Sequence, residues 1–65
     1  MNDIQMLLVD INKYRKRRRW KLWDVKNEGN DFFLYLGENK LFDVGMTKDE
    51  MTSFLQGAWW VLQES

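Results

Sequence analysis

Residues 20–44, WKLWDVKNEGNDFFLYLGENKLFDV, decide the fold. Trp20 and Leu22 alternate with Lys21, Trp23 and Val25, the two-residue repeat of a strand, so a strand is predicted over residues 20–26. Asn27-Glu28-Gly29-Asn30 supplies glycine and asparagine, which tolerate positive φ, and the chain is expected to turn there. Phe32, Leu34 and Leu36 then face one way and Phe33 and Tyr35 the other. Residues 37–40, Gly-Glu-Asn-Lys, form a second hairpin loop, and Leu41 to Val44 is expected to return as a short third strand. The result is an antiparallel meander with aromatic residues on both faces.

Helical periodicity flanks this meander. Ile4, Leu7, Leu8, Ile11 and Tyr14 follow the i, i+3, i+4, i+7 pattern, predicting a helix over residues 3–18 with Asn2 or Asp3 as cap and Gln5 in a capping-box position. Thr47-Lys48-Asp49-Glu50 starts a second helix: the threonine caps, the glutamate reaches back, and both acids complement the helix dipole. On that helix Met51, Phe54, Leu55, Ala58, Val61 and Leu62 share one face, with Trp59 at its edge. Trp60 points nearly opposite, beside Ser53, Gln56, Gly57 and Glu64. The predicted architecture is α+β: an N-terminal helix, a three-stranded antiparallel meander, and a C-terminal helix packed on the sheet.

Composition bounds the function. Sixty-five residues make one small domain, residues 1–65, with ten aromatic side chains and four methionines to build its core. With no cysteine and no histidine, neither a disulfide nor the usual zinc ligands can staple it. The apolar stretch at residues 6–9 is too short for a membrane span, and no targeting signal is visible, so a cytoplasmic protein without a membrane partner is expected. No serine has a histidine to activate it, no Gly-rich phosphate loop occurs, and residues 28–31 lack the spaced ligands of a calcium loop. The expectation is a non-enzymatic protein with no cofactor, no metal and no small-molecule substrate.

Charge supplies the positive signal. Seven of the ten basic residues fall within nine positions, Lys13, Arg15, Lys16, Arg17, Arg18, Arg19 and Lys21, with Tyr14 and Trp20 among them and no acid. Basic side chains favour the C-terminal end of a helix, which accounts for two or three of the seven. A stripe of this density attracts anions, and nucleic acid phosphate is the partner it suits, with Tyr14, Trp20 or Trp23 available to stack on unpaired bases. Phosphate contacts carry no base information, so binding without sequence preference is expected.

Trp60, with Trp59, Gly57 and Gln56, forms the candidate partner interface, because tryptophan is enriched at interface hot spots. A homodimer through that face is expected. A core wrapped fully around a two-faced sheet is the competing account of the same tryptophans. The alternative function is a protein–protein adaptor or inhibitor that contacts a host protein through the tryptophan-bearing helix and docks its basic stripe on an acidic surface.

The pattern running from the hairpin at residues 37–40 through Thr47-Lys48-x-Glu50 and Phe54-Leu55-x-Gly57 resembles small uncharacterised proteins encoded by phages and prophages of Gram-positive bacteria. The resemblance covers the C-terminal half. It implies a cytoplasmic protein made in an infected or lysogenic cell, and it brings no active site with it.

Overall fold

The computed structural model describes residues 3–64, in the order α1 (Asp3–Arg17), β1 (Trp23–Glu28), β2 (Asp31–Leu36), β3 (Asn39–Lys40) and α2 (Lys48–Glu64). The expected Asn2 cap lies outside the described residues. The sheet is antiparallel with strand order β1-β2-β3, and the helices cover one of its faces. This is the predicted α+β arrangement.

Both hairpins are tighter than the sequence suggested. Glu28 pairs with Asp31 around Gly29-Asn30, and Leu36 pairs with Asn39 around Gly37-Glu38, so each loop is two residues long. Gly29 has φ 66° and Gly37 φ 63°, while the residue after each has negative φ. That is the sign pattern of a type II′ turn, whose twist matches the flanking strands. Asn27, Glu28, Asn39 and Lys40 consequently belong to strands rather than loops.

Two strand boundaries differ from expectation. β1 begins at Trp23, not Trp20; Trp20 and Leu22 precede it, each 45% exposed, because Trp20 is held in the cap of α1. The third strand is interrupted. Tyr35 pairs with Lys40, and the Leu41 amide still donates to the Leu34 carbonyl (2.9 Å), but the next pairing joins Phe32 to Met46 through bonds of 2.7 and 2.9 Å. Between these pairings β2 steps back three residues and the returning chain advances six, so three residues loop out. The expected strand from Leu41 to Val44 is therefore mostly loop. Phe42 leaves the ladder to cover Phe54, ring centroids 5.8 Å apart and edge-on. Gly45 lets the chain return, since a Cβ there would sit 2.6 Å from the Asp31 Cβ.

The core is small. Ile4, Leu8 and Ile11 of α1 meet Met51 and Leu55 of α2 over Leu34 at the centre of β2, with Trp23, Val25, Phe32 and Phe54 packed around them. Val61, expected on the buried face of α2, is 68% exposed. It lies two turns after Phe54 along the same helix edge; Trp23 and Phe42 shield Phe54, and nothing reaches as far as Val61.

One polar side chain joins helix to sheet. The Asn12 amide donates to the Trp23 carbonyl (2.9 Å) and accepts from the Trp23 amide (2.8 Å), both partly buried. A strand's main-chain partner is thereby imitated by a side chain. Asn12→Ala leaves both Trp23 groups unpaired, and it should lower the unfolding free energy by about 1–3 kcal/mol in denaturant titration.

α2 opens as expected. The Thr47 amide donates to Glu50 Oε1 (2.9 Å), and the Glu50 amide donates to Thr47 Oγ1 (3.2 Å). The hydrogen bond from the Thr47 backbone, followed by that from its hydroxyl, holds the Glu50 carboxyl below its ordinary value of 4.5. A depressed folded-state pKa stabilises above the unfolded value and loses that contribution as pH falls through the folded one. Wild type should therefore lose stability relative to Glu50→Gln as pH is lowered below 4.5, read from denaturant midpoints at matched pH.

Candidate nucleic-acid interface

The basic stripe is organised by the way α1 ends. The Trp20 amide bonds back to the Arg15 carbonyl (2.9 Å) and the Arg19 amide to the Lys16 carbonyl (3.1 Å), with Arg19 at φ 61°. This is a Schellman motif, in which a left-handed residue after the helix lets the backbone satisfy its own last carbonyls. The apolar contact that accompanies such motifs is here Trp20 against Tyr14, centroids 6.4 Å apart. Because the main chain caps these carbonyls, the basic side chains are not needed for that purpose.

Two of the seven cations are folded into an aromatic ladder. The Arg15 guanidinium lies 5.3 Å from the Trp20 ring centre and 5.1 Å from that of Trp23, and its Nε donates to the Lys21 carbonyl (2.7 Å). Arg18 lies 4.6 Å from Tyr14 and 5.5 Å from Trp20. Desolvation lowers the pKa of Arg15 from its ordinary value, yet a guanidinium stays protonated in proteins. Both arginines add positive charge while fixing the rings.

Arg18 remains exposed, as do the other five, Lys13, Lys16, Arg17, Arg19 and Lys21. Among the described residues none of them pairs with an acid; the one ion pair found there joins Lys40 to Glu28 at 3.5 Å. Beside them runs an open cleft of about 320 Å³ between α1 and the segment leading into β1. Leu8, Leu22 and Trp23 line it with apolar surface, Lys13 and Lys16 with charge, and Asp24 is its acidic member. An apolar floor beside cations suits a ligand that is planar in one part and anionic in another.

No protein-family model, curated protein or solved structure matches this chain. Fold and site therefore rest on its own geometry.

The second candidate cluster lies apart from the stripe. Gln56, Gly57 and Trp60 are exposed together on α2, and Trp59 is half-buried, packed against the core. Two features escaped the sequence reading. Asn12 is one, although its place one turn after Leu8 put a polar group beside the apolar face. The other is the outer face of the sheet, where Lys26 lies 4.5 Å from the Tyr35 ring centre and Lys40 4.0 Å from that of Phe33. Asp24, Glu28 and Asp31 share the face, so it is self-compensating rather than anion-seeking.

Arg19 is the one non-glycine residue with positive φ among those described. Glycine there would relieve the left-handed strain, so Arg19→Gly should raise the stability of the fold by about 1 kcal/mol, read from its denaturant midpoint.

Proposed function

We propose that this protein is a non-enzymatic binding module that holds single-stranded nucleic acid, without sequence preference, on the stripe formed by residues 13–21. The observation that carries the reading is the group of exposed cations with no acidic partner among the described residues, set around a turn whose backbone is already capped. Phosphates would lie on Lys13, Lys16, Arg17, Arg19 and Lys21. Arg15 and Arg18 act as struts that hold Tyr14, Trp20 and Trp23 in place. The cleft rimmed by Lys13 and Lys16 favours an unpaired base over a duplex, whose bases are stacked out of reach. Action in the cytoplasm of an infected or lysogenic cell is the setting implied by the resemblance of residues 37–57 to phage and prophage proteins.

Fluorescence anisotropy with labelled single- and double-stranded oligonucleotides at several salt concentrations tests this reading. Five phosphate contacts on a single strand predict a log–log salt slope of magnitude up to about 3.5. Arg19→Gly should weaken binding to every sequence alike even though it stabilises the fold, and Arg17→Glu should weaken it further. If no oligonucleotide binds in low salt while an acidic polypeptide does, the stripe serves a host-protein adaptor instead.

A further inference from the structure

We propose that the exposed face of α2 around Gly57 and Trp60 is a homodimer interface, on which a second copy of this chain docks about a two-fold axis. The inference is independent of nucleic-acid binding and rests on four observations. Trp60 is 70% exposed and Val61 68%, the two most exposed large apolar side chains on the helix. With Leu7 of α1 and Trp59, they border an open groove of about 680 Å³ whose lining also includes Gly57 and, at the end of the helix, Glu64.

Gly57 itself is the second observation. It lies within α2 with no positive φ, and a Cβ added there would meet nothing within 4 Å. Glycine disfavours a helix interior, and a single copy of the chain gives no reason for it at this position. Close approach of another backbone or ring is the reason that remains.

The third observation identifies the occupant. Residues 51–63 contain no charged side chain, in a chain that is 31% charged. Charge depletion marks the centre of an interface. Among the described residues Glu64, at the C-terminal end of α2, is the one charged residue lining the groove; the centre around Gly57 and Trp60 offers nothing to complement an acidic or a basic partner, and it brings no like charges together when it meets itself. It also carries both halves of a fit, the projecting Trp60 ring and the bare Gly57 backbone one turn earlier. Two-fold symmetry places each ring over the other copy's glycine, as an isologous contact requires.

Area is the fourth. The chain exposes 4951 Å², against about 4,450 Å² for a folded monomer of 8.0 kDa. The surplus of roughly 500 Å² belongs to the whole chain, and the exposed Trp60 and Val61 of α2 contribute to it; each partner of a small specific interface buries about 600 Å².

Sedimentation equilibrium of wild type, Gly57→Ala and Trp60→Glu, from low to high micromolar concentration, tests the proposal, with circular dichroism melts of each. Wild type should be a dimer at the upper end. Gly57→Ala should raise the dissociation constant at least tenfold, while its melting temperature, measured where all are monomeric, equals or exceeds that of wild type. Trp60→Glu should be a folded monomer; if it does not fold, Gly57→Ala still decides. A wild type that stays monomeric throughout overturns the proposal and leaves the face to a different protein. So does a Gly57→Ala variant that dimerises as tightly as wild type.

Discussion

The connection from α1 into β1 is the constraint on which the remaining structure depends. Asn12 grips the Trp23 backbone at both its amide and its carbonyl, and four residues earlier Arg19 has already turned the chain through a left-handed conformation. Together they set where β1 begins and which way its side chains face. With Trp23 inward, Val25 follows, and the pairing Val25 to Leu34 brings the most buried residue of the sheet under Ile4, Leu8 and Ile11. A shift of one residue at this joint would turn Asp24 and Lys26 toward the core instead. The stacking of Arg15 between Trp20 and Trp23 reinforces the joint on its solvent side.

Two departures from local preference stand out against this economy. Arginine occupies the left-handed position where glycine would be less strained, and glycine occupies a helix interior where alanine would fit. Each occurs on a different proposed binding surface: Arg19 within the cationic stripe, Gly57 within the face of α2 that carries Trp60. Sites that break a local rule without gain to the isolated fold are where binding demands are expected to act. The outer face of the sheet breaks no such rule. Its lysines rest on its own rings, and its acids share the surface with them.

Much of this was legible in the sequence, for identifiable reasons. The capping box at Thr47 and Glu50, the apolar faces of both helices and the alternation through β2 are local patterns, and the structure contains them. Trp20 was misread as strand because alternation in residues 20–25 resembles a strand, while the Schellman turn that claims Trp20 uses arginine where the usual signal is glycine. The third strand was misread because Leu41 to Val44 has strand-like composition, whereas the return to β2 is governed by a close approach at Gly45 to Asp31, a residue fourteen positions away. Val61 has the right helical angle and lacks only a covering neighbour, which no periodicity reports. At the candidate site the sequence located all seven cations; it could not separate the two that stack on rings from the five left open to a ligand.

The central claim is that the turn after α1 presents a cationic surface for single strands, apart from the face of α2. Four tryptophan indoles report on it: Trp20 and Trp23 at the turn, Trp59 and Trp60 on α2. Titration of ¹⁵N-labelled protein with a short unstructured oligonucleotide, followed by the indole N–H resonances, measures the claim directly. The account predicts that Trp20 and Trp23 shift together with the backbone amides of residues 13–21, while Trp60 stays where it was. Shifts confined to Trp59 and Trp60, or none at all in low salt, would contradict it.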